Sequence, residues 1–201
     1  MLAGLRGFRS RSVRVGLVIF LAVIVTALAA PVLAPHDPYK QAVARRLKPP
    51  AWMEGSLEGN PLGTDQLGRD NLSRLIYGAR ISLLVGAATV VLAGALGTVL
   101  GVAAGYYGGR VDYVVSTFIN AAWSFPFILL ALIIVAVLGA GLQNLILALV
   151  ATSWASFARI ARGEAMAVKN REYVAAAEAL GQRTWRTLAR HVLPNVASSL
   201  L

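Results

Sequence analysis

Residues 113–158 read YVVSTFINAAWSFPFILLALIIVAVLGAGLQNLILALVATSWASFA, a stretch without a single charged side chain. Crossing the hydrocarbon of a bilayer takes about 20 apolar residues in a helix, because each backbone N–H and C=O must be satisfied where water is absent. The stretch is too long for one such helix, and Leu138-Gly139-Ala140-Gly141 supplies the natural break into two. Working outward, further apolar runs occupy about 15–34, 81–107 and, at the chain end, 192–201. The expected fold is therefore an all-α membrane protein with four complete spans, at about 15–34, 81–107, 113–138 and 142–160, plus the start of a fifth at 192–201. A helix that stops ten residues into lipid would leave its last carbonyls unpaired, so the chain reads as truncated.

Composition agrees. Of 201 residues, 57% are hydrophobic and 14% charged, more apolar surface than a soluble domain of this length can bury in one core. Cysteine is absent, which excludes a disulfide framework and thiolate metal sites. The net charge of +10 would suggest nucleic acid in a polar protein, but the Lys and Arg residues flank uncharged runs instead of forming one stripe. No nucleic-acid partner is expected; the bilayer is.

Arg6, Arg9, Arg11 and Arg14 precede the first apolar run, and small residues at Ala27 and Ala29 also fit a secretory signal peptide. The length of the run and the spans that follow favour an uncleaved anchor. Basic residues near the span ends set orientation. A cytoplasmic N-terminus places those four arginines, Arg110 and the seven basic residues from Arg159 to Arg190 on one side. The external segment, Pro35 to Arg80, then holds the other seven, offset by Asp37, Glu54, Glu58, Asp65 and Asp70.

Gly97, Gly101 and Gly105 recur every four residues and line one helix face, where another backbone can approach closely. Trp123-Ser124-Phe125-Pro126 predicts a kink, since Pro126 lacks the N–H and its ring clashes one turn back. Such a kink borders a solute path in some transporters and is merely tolerated in other membrane helices. Thr64 or Asp65 is placed to cap a short helix leading into the second span. Two neighbouring carboxylates, Asp65 and Asp70, invite a cation-site reading, but Arg69 and Arg74 lie beside them, and capping with ion pairing is the expected role. His36 and His191 have no metal-ligand spacing, and no Lys follows a phosphate-cradling glycine loop. No metal, no cofactor and no catalytic residue is expected in this chain.

Between the fourth and fifth spans lies a polar segment, about 162–194. Glu172 to Leu180 is alanine-rich, Gly181 suits the left-handed position that stops a helix, and Thr184 to Val192 resumes before Pro194. Small side chains at Ala175, Ala176, Ala177 and Ala179 make the first helix thin enough to enter another protein's groove. Arg183, Arg186 and Arg190 share a helix face by their spacing, directed either at lipid headgroups or at a protein.

This segment resembles the cytoplasmic signature loop of ABC importer permeases, in which Glu-Ala-Ala precedes Gly by three residues and Leu-Pro closes the motif. With the glycine at Gly181, the alanines fall on Ala176 and Ala177 and the closing pair on Leu193 and Pro194. The signature glutamate falls on Ala175, with Glu178 one turn later, and an isoleucine position falls on His191. Gly63, Thr64, Asp65, Gly68, Arg69, Asp70 and Arg80 are similar to the hallmark before the second span in the dipeptide, oligopeptide and nickel permease subfamily. Tyr106-Tyr107-Gly108-Gly109 and Phe125-Pro126 extend the likeness over nearly the whole chain, and the short N-terminal region resembles the C-type subunit.

That resemblance implies a type I ABC importer transmembrane domain with six spans in a complete subunit, in the bacterial inner membrane, with residues 1–79 as an N-terminal region and 80–201 as the transmembrane domain. It implies a second homologous permease, two ATP-binding subunits that hold ATP and Mg, and an extracytoplasmic solute-binding protein. Peptides or related solutes, nickel complexes included, would be the cargo. A secondary transporter or channel would need an ionisable residue inside a span, and an integral membrane enzyme a nucleophile and base; neither pattern is visible in the runs above.

Overall fold

A computed structural model describes residues 11–200; Arg6, Arg9 and Leu201, which entered the orientation and span readings, lie outside them. The chain divides into two compact units, 1–84 and 85–201.

In the first unit, α1 (Arg11–Leu28) is 18 residues long, about 27 Å, and is followed by a short turn of helix, α2 (Ala30–Leu33), with Pro31 in its first turn. Large apolar side chains such as Val18, Phe20 and Val25 are exposed around α1, as on a helix whose solvent is lipid. Residues 35–70 contain little regular structure, apart from a 3₁₀ turn at Val43–Arg45. Their backbone is held by cross-links between 42–51 and 61–67: Ala42 N–H to Leu67 O, Leu47 N–H to Asp65 O, Thr64 N–H to Lys48 O and Ala51 N–H to Pro61 O, all between 3.0 and 3.1 Å.

Helix α3 (Asn71–Tyr107) begins in this unit and ends in the second. It starts ten residues before the expected span, as a helix leading into it would, but its cap is neither Thr64 nor Asp65. Asp70 accepts from the Ser73 backbone N–H (2.8 Å) and hydroxyl (2.6 Å), satisfying a first-turn donor, so Arg74 and Arg80 are carried on the helix.

In the second unit, the stretch expected as one span at 113–138 is two helices, α4 (Gly109–Ser124) and α5 (Phe127–Leu138), meeting at 90°. Pro126 drives Phe125 into an extended conformation (φ −99°, ψ 138°), which ends α4 outright instead of kinking it. The 138–141 break falls where the glycines place it. Gly139 adopts φ +88°, and the Asn144 amide donates to the carbonyls of Leu138 (2.8 Å) and Gly139 (3.0 Å).

Helix α6 (Leu142–Lys169) runs nine residues past the expected 160, because Ala158, Ala161, Ala165 and Val168 continue one buried stripe along it. The first non-helical residue after the span is therefore Asn170, inside the segment 162–194. After α7 (Glu172–Ala179), a single helical rod runs from Thr184 to Leu200: α8 (Thr184–Thr187), a π turn (Leu188–Val192) and α9 (Leu193–Leu200). Pro194 does not stop this rod as expected. The widened turn before the proline absorbs its missing N–H, and Asn195 Nδ2 donates to the His191 carbonyl at 2.6 Å.

Two apolar clusters hold the unit together: Ile119 with Ala155 and Ala158, and a larger one joining Val102 and Tyr106 of α3, Ala161, Ala165 and Val168 of α6, Val174 of α7 and Val192 and Val196 of the last rod. Among the described residues there is no strand, only an isolated bridge between Thr64 and Asp70.

Candidate functional site

The polar segment after α6 is built on Val174, fully buried beneath α7. One apolar anchor leaves the rest of this eight-residue helix facing outward: Ala175, Ala176 and Glu178 are exposed and Ala177 is half-buried. The helix ends in a Schellman motif. Gln182 N–H donates to Ala177 O (3.1 Å) and Gly181 N–H to Glu178 O (2.9 Å), with Gly181 at φ +79°. No atom lies within 4 Å of where a Gly181 Cβ would stand, so backbone conformation, not space, demands the glycine here.

This cap turns Leu180 outward, 89% exposed, with Trp185 exposed beyond it. An open hollow of about 500 Å³ lies alongside, lined by Tyr173, Ala176, Ala177, Leu180, Gln182 and Arg186. Exposed apolar groups beside a shallow hollow, with Arg186 at its edge, have the anatomy of a protein docking surface.

Glu178, one turn after Ala175, accepts a hydrogen bond from Tyr106 Oη at 2.5 Å, and Lys169 Nζ sits 5.6 Å above the Tyr106 ring. The pairing with Tyr106 was not readable from sequence, since nothing in the Tyr-Tyr-Gly-Gly pattern announces a partner 72 residues on. His191 is half-buried against the Tyr173 ring, 5.7 Å between centroids, while Leu193 and Pro194 are exposed on α9. Arg183, Arg186 and Arg190 do not share one regular α-helical face: Arg183 precedes α8 in extended conformation, Arg186 lies in α8 and Arg190 lies in the π turn.

Gly97, Gly101 and Gly105 lie directly against α6. A Cβ on each would stand 2.5 Å from Trp154 O, 2.3 Å from Ala158 O and 2.4 Å from Arg162 O, respectively. Such approach of backbones is open only to glycine.

Near the 90° turn, Trp123 and Phe125 are exposed, and the Arg159 guanidinium lies 3.9 Å from the Trp123 ring centre. One turn further along α6, Arg162 grips Asp112 of α4 with two donors, Nε to Oδ1 and Nη2 to Oδ2 (2.8 Å), and Ser116 adds a third at 3.1 Å. Both ion-pair partners lie just outside the expected spans 113–138 and 142–160, on helices that extend past those spans. Asp112 and Arg162 sit on facing helices, 50 residues apart, where no local pattern pairs them.

In the first unit, the hallmark residues form one network. Gly63 and Gly68 adopt φ +69° and +72°, and a Cβ on either would collide with the Lys48 or Ala42 carbonyl, at 2.3 and 1.9 Å. The Thr64 hydroxyl accepts from Lys48 N–H (3.0 Å) and donates to Arg45 O. Asp65 accepts from the backbone N–H groups of Leu67 (2.8 Å) and Arg69 (3.0 Å) and pairs with the guanidiniums of Arg69 and Arg74. Burial works against its charge, but those donors outweigh it and hold the carboxyl at about 2. Asp70, 3% exposed, also accepts from Asn60 Nδ2 at 2.9 Å; burial again opposes its charge, and the Ser73 and Asn60 donors keep it below the usual carboxylate range. Both carboxylates are thus committed to protein donors. Arg80 is exposed and makes no ion pair among the described residues.

Comparison with known proteins places these features in a family. The family model described as "Binding-protein-dependent transport system inner membrane component" matches residues 97–201, and that described as "N-terminal TM domain of oligopeptide transport permease C" matches 3–50. The dipeptide transport system permease protein DppC of Haemophilus influenzae is 40% identical over 96% of this chain and 65% of its own length. The di/tripeptide transport system permease protein DppC of Pseudomonas aeruginosa is 41% identical over 92% of this chain and 61% of its own. The glutathione transport system permease protein GsiD of Pectobacterium atrosepticum is 36% identical over 94% and 61%. The chain thus spans somewhat less than two thirds of these relatives' length. With more than half of its residues matched by the first family model, the chain belongs to the binding-protein-dependent transport system inner membrane components.

Proposed function

We propose that this chain is a permease subunit of an ATP-binding-cassette importer that carries peptides or related small solutes across the bacterial inner membrane, and that α7 with its Gly181 cap is the element on which an ATP-hydrolysing partner acts. The observation that carries the reading is the construction of α7: an exposed alanine face and an outward Leu180, tied to the bundle by buried Val174 and the Glu178–Tyr106 hydrogen bond. A helix so anchored passes a push on its outer face directly to the ends of α3 and α6.

In this reading the N-terminus and α7 face the cytoplasm, and residues 35–70 face outward. The spans are α1, the apolar part of α3, the bent pair α4 and α5, and α6, with α9 opening a fifth of six. Residues 1–79 are the N-terminal region and 80–201 the transmembrane domain of a C-type subunit. The assembly adds a second permease, two ATP-binding subunits that hold ATP and Mg, and an external solute-binding protein. The names of the peptide-transporting relatives supply the cargo class. A secondary transporter would need a carboxylate open to a driving ion; Asp112, held by Arg162 and Ser116, is not open.

The test is Gly181→Val in the assembled transporter. A β-branched residue at φ +79° strains the cap by about 1–2 kcal/mol while meeting no neighbour. ATP hydrolysis should continue while peptide uptake falls, whereas Gly181→Asn, which tolerates this conformation, should transport. Undiminished uptake by the valine variant would remove α7 from the coupling path.

A further inference from the structure

Among the described residues Arg159 makes no ion pair, and Asp112 on the facing helix has both oxygens taken by Arg162. The Arg159 guanidinium carbon lies 3.9 Å from the Trp123 ring centre and Nη2 is 3.5 Å from Asn120 Oδ1, while the Asn120 amide nitrogen makes no hydrogen bond among the described residues. These groups border a cavity of about 400 Å³ lined by Ser116, Ile119, Asn120, Arg159 and Arg162. The volume falls within the range of small-molecule sites.

We propose that Arg159 and Asn120 form a subsite for the carboxylate of a passing solute, with Trp123 as the platform that orients the guanidinium. The proposal rests on the peptide-importer reading, because a peptide with a free C-terminus supplies that carboxylate. The fork of Arg159 donates two parallel hydrogen bonds to it and the Asn120 amide a third. Arg162, neutralised by Asp112, fixes the wall without adding net attraction, so the subsite carries one positive charge. A single charge binds weakly enough for release, as a conduit requires.

A lipid phosphate is the competing ligand for such an arginine. One feature weighs against it: the Arg159 guanidinium rests on the ring of Trp123, beside the 90° turn.

The experiment uses the transporter assembled with its partner permease and ATP-binding subunits, in nanodiscs of zwitterionic phosphatidylcholine. Tryptophan fluorescence is titrated with N-acetyl-dialanine and, separately, with its C-terminal amide. The expected result is a saturable change for the acid, none for the amide, and loss of the acid response in Trp123→Phe. Arg159→Gln should weaken the acid roughly tenfold or more, with Arg159→Lys recovering part of that loss and showing that the site still folds. Equal responses to acid and amide, or an acid response indifferent to Arg159→Gln, would overturn the subsite. So would an acid response abolished by adding anionic phosphatidylglycerol, which would assign the arginine to lipid phosphate. ATP-dependent uptake of trialanine by the wild-type assembly is followed in parallel. Probe binding without uptake counts against the importer reading and leaves the carboxylate subsite standing; uptake without probe binding sinks the subsite alone.

Discussion

Tyr106 Oη donates a 2.5 Å hydrogen bond to Glu178 Oε1, joining the last turn of α3 to the outer helix α7. Tyr106 itself is buried, so the bond forms where water competes poorly. Tyr106→Phe removes the donor and keeps the ring, at an expected cost of about 1–2 kcal/mol in local stability. The assembled transporter should then hydrolyse more ATP per solute carried, while Glu178→Gln, which still accepts, should stay near wild type. Equal coupling ratios for both variants would show the bond to be incidental.

The seam between α3 and α6 predicts a graded loss. Gly101→Ala places a Cβ 2.3 Å from the Ala158 carbonyl, and Gly101→Val adds two methyls in the same gap. Expected destabilisation is about 1–3 kcal/mol for alanine and more for valine. Thermal unfolding of the purified subunit should follow that order, and Gly86→Ala, with no neighbour within 4 Å, should leave the midpoint in place.

Asp112 and Arg162 lend themselves to a charge exchange. Removing the carboxylate in Asp112→Ala leaves a half-buried guanidinium unpaired, for a loss of about 2–4 kcal/mol. The double variant Asp112→Arg with Arg162→Asp restores opposite charges and should recover much of it. A thermal double-mutant cycle measures the coupling; a coupling near zero would mean that each residue acts through other contacts.

The segment 35–70 carries a pH signature. The folded-state pKa of Asp65, about 2, is below its ordinary value of about 3.9, so ionised Asp65 stabilises the folded segment. That contribution is complete above about pH 4 and drains away as acid brings the solution through pH 2. Asp65→Asn should therefore melt below wild type at pH 6, and the gap between the two should close near pH 2. A gap that stayed constant across this range would locate the stabilisation elsewhere.

Apolar runs made the number and order of the long helices legible, because hydrocarbon solubility is a property of each segment alone. Their ends were less legible, since caps and packing decide them. Asp70 starts α3 through Ser73, and the stripe Ala158, Ala161, Ala165 carries α6 past the last purely apolar residue. Pro126 announced a disturbance, but its size, a full right angle, depends on what surrounds Phe125. The glycine ladder 97, 101, 105 declared that some backbone would come close without naming α6. Gly181 was the most legible detail, because a left-handed cap is a local property of the chain. Contacts between distant segments, Arg162 with Asp112 and Glu178 with Tyr106, left no trace in spacing at all.

The right-angled elbow at Phe125 and Pro126 has a consequence for assembly. The final carbonyls of α4, from Ala121 to Ser124, point past the end of their own helix with no following turn to receive them. Oil offers such oxygens nothing, so in the reading that sets α4 and α5 across a bilayer, either a neighbouring chain or a thread of water supplies their missing donors.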